Sequence, residues 1–232
     1  MEKLNIGVDL DAIFGLTIKE DAYFEAGPLL SFCQQLMRLN HQVVELFAFS
    51  MQDPSISSSV FESLSHYGLN INQLIFTGGE SIVSYFQALE IEVYLSFDEG
   101  DVLEAKKMGI LSGVLTKKNV KETLNFTFDH RLFLDDLPYT GLGKWLPLLG
   151  YLQQQKYPLS VELMTTRAYS VDRFVKDLFL ESQCKINAMC FIASGKGEDL
   201  VELYAPTIYF SAFSSEPLSP LPNAECILNI AF

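Results

Sequence analysis

Two tripeptides mark where this chain could do chemistry, Asp9-Leu10-Asp11 and Asp129-His130-Arg131. Each follows a short apolar run, Asn5–Val8 or Asn125–Phe128, and each sits just ahead of a helix-like stretch, so each aspartate stands at a strand end. A carboxylate so placed can attack phosphorus, and a second acid two residues on can protonate the leaving oxygen. Such phosphoryl transfer also needs a hydroxyl and an ammonium to hold the phosphoryl oxygens, and further carboxylates for Mg²⁺. The first half supplies Asp9 and Asp11 as candidate catalytic residues and Ser50 as a candidate phosphate-binding hydroxyl. Asp98 and Asp101 join Asp9 and Asp11 as candidate metal ligands. Where a lysine would offset phosphate charge the chain carries Glu80, which repels phosphate unless it too binds the metal. The second half is the mirror case. Asp129 is its candidate catalytic residue, and Thr165 and Lys196 are its candidate phosphate-binding residues. Its second acid is replaced by Arg131, and Ser211-Ala212-Phe213 closes its fourth strand without metal ligands.

The elements that must position these residues come in two similar series. Gly27–Leu39 and Trp145–Gln155 read as amphipathic helices, followed by the apolar strands Val43–Ser50 and Leu159–Thr165. Leu74–Phe76 and Cys190–Ile192 then run into glycine-bearing loops, and Val93-Tyr94-Leu95-Ser96 corresponds to Ile208-Tyr209-Phe210-Ser211. Each half thus reads β-α-β-α-β-α-β, the pattern of a mostly parallel α/β sheet covered by helices on both faces and built from two diverged repeats. The polar stretch 116–121 is the natural joint, giving lobes 1–118 and 119–232, whether separate or integrated in one domain. In such sheets ligands bind at the carboxyl ends of strands, where the named side chains lie. A proline- and serine-rich loop over 214–223 precedes a short expected strand, Cys226–Ile230.

Composition narrows the partners. With 29 acidic against 16 basic residues the formal charge is -13, which disfavours DNA, RNA and anionic membrane and suits recruitment of a divalent cation. No apolar run approaches the roughly 20 residues that span a bilayer, and the N-terminal residues lack signal-peptide character, so a cytoplasmic protein is expected. Four scattered cysteines read as buried free thiols, and the three histidines form no metal constellation. Trp145, Phe32, Phe61 and Phe86 read as core. Simpler roles compete at the site residues: Asp9, Asp11 and Asp129 can serve as turn or helix caps, Asp98 and Asp101 can begin the helix running through Glu104–Met108, and Gly78-Gly79 can serve a tight turn.

Several segments carry a family resemblance: His66-Tyr67-Gly68-Leu69, Phe76-Thr77-Gly78-Gly79-Glu80-Ser81, Tyr94-Leu95-Ser96 and Phe128-Asp129. Together they resemble the type I cytosolic 5'-nucleotidases of the haloacid-dehalogenase-like superfamily. The resemblance implies a Rossmann-like fold and a Mg²⁺-dependent hydrolase of nucleoside monophosphates, working in nucleotide metabolism through an aspartyl-phosphate. The family's nucleophile and acid fall on Asp129 and Arg131, the latter a departure, while its threonine and lysine fall on Thr165 and Lys196. Its acidic pair after the last core strand falls on Ser211 and Ala212, a second departure. Asp9-Leu10-Asp11 stands where the family carries no such pair. The expected function is therefore a phosphomonoesterase, or alternatively a catalytically degenerate nucleotide- or phosphate-binding protein of the same fold. Base preference and oligomeric state, a homo-oligomer included, stay open.

Overall fold

The computed structural model describes residues 3–18, 23–39, 42–71, 73–116, 123–133, 139, 141–165, 173–191 and 208–211. Lys196, the expected strand Cys226–Ile230, the 214–223 loop and most of the expected joint lie outside them. The chain separates into two compact units, Met1–Asn119 and Val120–Phe232.

The first unit begins with β1 (Leu4–Asp9), whose last residue caps a single helical turn, α1 (Leu10–Ile13). An antiparallel hairpin follows, β2 (Phe14–Ile18) and β3 (Phe24–Ala26). Then come α2 (Leu30–Met37), β4 (Val44–Ser50), α3 (Ser57–Tyr67), β5 (Gln73–Phe76), β6 (Val93–Ser96), α4 (Glu99–Lys107) and β7 (Leu111–Leu115). The strands pair in the order β7-β6-β1-β4-β5, all parallel. The chain steps one way from β1 to β4 to β5 and the other way from β6 to β7. Right-handed crossovers then put α2 and α3 on one face and α4 on the other. The direction reverses beside β1, and its carboxyl end is the place where such sheets open a crevice.

The second unit comprises β8 (Leu124–Asp129), α5 (Leu142–Gln154), β9 (Leu159–Thr165), α6 (Arg173–Glu181), β10 (Ala188–Phe191) and β11 (Ile208–Phe210). Its strands, again parallel, pair in the order β10-β9-β8-β11. A Rossmann-like α/β sheet is thus present in each unit, as the strand and helix periodicities predict.

The hairpin β2–β3 and the strand β7 are additions to the sequence reading. Phe24 N–H donates to Ser63 Oγ (2.9 Å) and Tyr67 Oη donates to Phe24 O (3.0 Å), so α3 holds the hairpin by two hydrogen bonds made far along the chain. Strand β7 is short and contains Ser112 and Gly113, which blurs its signature within a longer apolar run. Phe61 departs from expectation: it is 58% exposed, because the apolar face of α3 runs through Val60 and Leu64 instead. Trp145, Phe32 and Phe86 are buried as expected, and so are the free thiols of Cys33, Cys184 and Cys190.

Beside β1 the core is an aromatic cluster. Phe49 meets Phe86 edge-on at 5.1 Å between centroids, and Phe86 lies 4.7 Å from Tyr94. Gly7, at the middle of β1, makes room for it. A Cβ there would sit 2.9 Å from the Phe49 ring and 3.2 Å from that of Tyr94. Substituting Gly7→Ala should therefore destabilise the first unit by about 1–3 kcal/mol, the usual cost of overpacking, read from the urea midpoint. An unchanged midpoint would mean that the rings yield freely.

Candidate active site

In the first unit, Asp9 ends β1 and turns the chain into α1. Its Oδ1 accepts the Asp11 N–H at 3.2 Å, an N-cap hydrogen bond, and its Oδ2 accepts the Ser96 hydroxyl at 2.9 Å. Ser96 closes β6, the parallel neighbour of β1, and is fully buried. The Asp98 N–H donates to Ser96 Oγ at 2.9 Å, and Asp98 in turn caps α4, accepting the Asp101 N–H at 2.9 Å. The cap read for Asp9 and the helix start read for Asp98 and Asp101 are therefore real, whereas Asp11 sits in the first turn of α1 rather than at its cap. These two helix starts are also what brings the carboxylates together. Asp9, Asp11, Asp98 and Asp101 line one cavity of about 240 Å³ with Met51, Gln52, Ile82 and Phe97. Among the described residues no three His, Cys, Asp or Glu side chains are placed to hold a metal ion by themselves.

Crowding of like charge shows in the protonation. Burial, then the charges of Asp11 and Asp98, push the Asp9 carboxyl up to about 6 from its ordinary 3.8. The half-buried Asp101 is likewise pushed up to about 6, by burial and then by Asp98 and Asp9. Tyr94, in the core beneath, is raised well above its ordinary value by burial and then by Asp9.

Ser50 ends β4 on the other side of β1. It is buried, its Oγ accepts the Gln52 N–H at 3.2 Å, and it does not line the cavity. Gly78 and Gly79 turn the chain after β5 with φ of 61° and 95°, the left-handed region that glycine adopts at little cost, so their role is the turn. Glu80 follows them exposed and away from the cavity lining.

In the second unit Asp129 ends β8 in a local geometry like that of Asp9. Its Oδ1 accepts the Arg131 N–H at 2.9 Å, and a helical turn follows over His130–Phe133. The difference lies in the side chain two residues on. Arg131 Nε donates to both carboxylate oxygens, at 3.1 and 2.9 Å, in a charge-assisted grip on a buried acid. His130 Nδ1 lies 3.6 Å from the same carboxylate. Thr165 ends β9 beside β8 and is buried, and Lys196 is outside the described residues. Sequence reasoning brought the four acids of the first unit together by type and position but assigned no role to Ser96 or to the apolar lining of Met51, Ile82 and Phe97. The one signal for Ser96 was its place as the last residue of a strand, shared with Ser211.

Parallel α/β units with an acid-lined crevice at a strand switch point are the class of protein that gathers a ligand at the carboxyl ends of its strands. The chain belongs to the 5'-nucleotidase family, whose model matches residues 7–136, more than half of its length. That span takes in both aspartate turns and ends before Thr165. A relative of known name is the human (Homo sapiens) Cytosolic 5'-nucleotidase 1B, 24% identical over 106 residues. The match covers 41% of this chain and 17% of the human protein. Among the described residues no helix is long and apolar enough to cross a membrane.

Two measurements bear on the site's electrostatics. A carboxyl whose folded-state pKa lies above its unfolded value binds its proton more tightly in the folded chain. The stability this gives is complete below about pH 4 and is lost as pH rises through about 6. At pH 8, Asp9→Asn should therefore stabilise the protein by up to about 3 kcal/mol, and at pH 4 by almost nothing. A gain independent of pH would contradict the raised Asp9 carboxyl, to which burial contributes most. In the second unit, Arg131→Ala leaves Asp129 buried without its partner and should cost about 3 kcal/mol at neutral pH in urea unfolding.

Proposed function

We propose that the chain is a Mg²⁺-dependent phosphomonoesterase of nucleoside monophosphates, active in the cytoplasm, with its working site in the first unit. The observation that carries this reading is the single small cavity into which β1, α1 and the start of α4 place Asp9, Asp11, Asp98 and Asp101. We further read the two units as diverged copies, of which the second has exchanged its acid for Arg131.

The donor set fits the cation. Mg²⁺ takes oxygen ligands, keeps several waters and uses one or two carboxylates together with substrate phosphate, so it needs no closed cage of three side chains. One or two of Asp9, Asp11, Asp98 and Asp101 would hold it, and when bound it would offset phosphate charge. No lysine or arginine lines the described cavity to do so.

The chain's own residues then divide the work. Asp9 attacks phosphorus, forming an aspartyl-phosphate as the bond to the ester oxygen breaks, and Asp11 gives its proton to the departing alcohol. Asp11, now a carboxylate, takes a proton from water, whose oxygen displaces Asp9 and releases phosphate. Burial and the neighbouring carboxylates hold the Asp9 proton up to about pH 6, so attack by Asp9 is expected to need a pH above that, where it is ionised. Ser50, buried outside the cavity lining with its Oγ accepting the Gln52 N–H, holds the turn after β4 rather than the phosphoryl group. Asp129, held at both oxygens by Arg131, is a poor nucleophile by comparison.

A second reading, a binding protein without turnover, is favoured by the same Asp129–Arg131 pair and by Glu80 in place of a lysine. Phosphate release from a panel of nucleoside monophosphates with Mg²⁺ separates the two. We expect turnover that is lost with EDTA and falls by about 10³-fold or more in Asp9→Asn, while Asp129→Asn keeps it within about tenfold. Loss in Asp129→Asn with retention in Asp9→Asn would move the site to the second unit. Nucleotide-induced thermal stabilisation without any phosphate release would establish the binding protein.

A further inference from the structure

Resting on that reading of the first unit, we propose that Ser96 is a positioning residue that fixes the plane of the Asp9 carboxylate for attack on phosphorus. A hydroxyl has one proton to give and lone pairs to accept with. The Asp98 N–H, set by the start of α4, already occupies the acceptor side of Ser96 Oγ at 2.9 Å. The single hydroxyl proton is directed to Asp9 Oδ2, also at 2.9 Å.

The carboxylate is thereby held from two independent elements. Its Oδ1 takes the Asp11 N–H of its own turn, and its Oδ2 takes the hydroxyl from the neighbouring strand. One hydrogen bond would leave the group free to swivel about it; two, one to each oxygen, define a plane. A nucleophile must present a lone pair along the line of displacement, and small misplacements are costly in rate. Ser96 is fully buried, so water does not replace its hydrogen bond readily.

The simpler role for Ser96 is to accept the Asp98 N–H and steady the entry to α4, with no consequence for Asp9. Three substitutions separate the two. Ser96→Ala removes donor and acceptor, Ser96→Cys keeps the volume nearly unchanged but donates weakly, and Ser96→Thr restores a hydroxyl. With Mg²⁺ and a nucleoside monophosphate, kcat should fall about 10- to 100-fold in the first two with KM within about twofold, and Ser96→Thr should recover most of it. In urea unfolding, the midpoint lost by Ser96→Ala should shrink or change sign when Asp9→Ala is already present, because the two residues are directly coupled.

If the chain releases phosphate and both Ser96→Ala and Ser96→Cys keep wild-type kcat, the assignment is overturned. If the wild-type chain releases no phosphate, the proposed function falls, and the unfolding cycle decides the pairing by itself. Additive effects of Ser96→Ala and Asp9→Ala then overturn it, and non-additive effects uphold the hold of Ser96 on Asp9.

Discussion

Everything at the candidate site follows from placing like charges closer together than they would choose. Asp9 is drawn into a partly buried position by two hydrogen bonds, from the Asp11 N–H and the Ser96 hydroxyl, while the carboxylates of Asp11, Asp98 and Asp101 share its cavity. Burial and repulsion both work against the ionised form, and the rise of Asp9 and Asp101 to about 6 is their visible result. The fold tolerates this because β1 lies between β4 and β6, with Gly7 allowing the aromatic core to close beneath. A crowded acidic cavity costs stability at neutral pH, and carboxyls perturbed in this way cluster at sites of binding or chemistry.

The two units meet the same constraint with opposite solutions. In both, an aspartate ends the strand beside which the sheet order reverses, and in both its side chain accepts the N–H two residues on. Tyr94 and Tyr209 even share an environment, each raised by burial and by the neighbouring aspartate. In the first unit the residue two positions on is a further acid, Asp11, so negative charge accumulates. In the second, the guanidinium of Arg131 lies against both oxygens of Asp129 and supplies the positive charge from within the chain. An internal cation of this kind needs no exchange with solvent.

Much of this was legible in the residues. The strand ends at Asp9, Ser50, Ser96, Asp129 and Thr165 could be located because each closes an apolar run of strand length. The parallel order followed from strands alternating with helices. What could not be read were features set by contacts distant in sequence. Ser96 becomes important only because β6 pairs with β1, a contact spanning 87 positions. The hairpin β2–β3 depends on hydrogen bonds from Ser63 and Tyr67, and Phe61 faces solvent because the packed stripe of α3 passes through its neighbours. The grip of Arg131 on Asp129 lay between: the residue types announced an unusual pair, and only the geometry gave the engagement of both oxygens.

Charge also governs what the cavity would accept. A phosphate dianion approaching four carboxylates, with no lysine or arginine lining the cavity among the described residues, meets net repulsion, and at about 4 Å each unit-charge pair costs on the order of 4 kcal/mol at an effective dielectric constant near 20. An overall charge of -13 adds to that barrier at long range. Protonating Asp9 or Asp101 relieves only part of it. A divalent cation reverses the sign of the argument at once, since the same carboxylates that repel phosphate attract the ion that binds it. On the proposed function, cation and phosphate are therefore not independent ligands of this cavity: each creates the electrostatic conditions under which the other can stay.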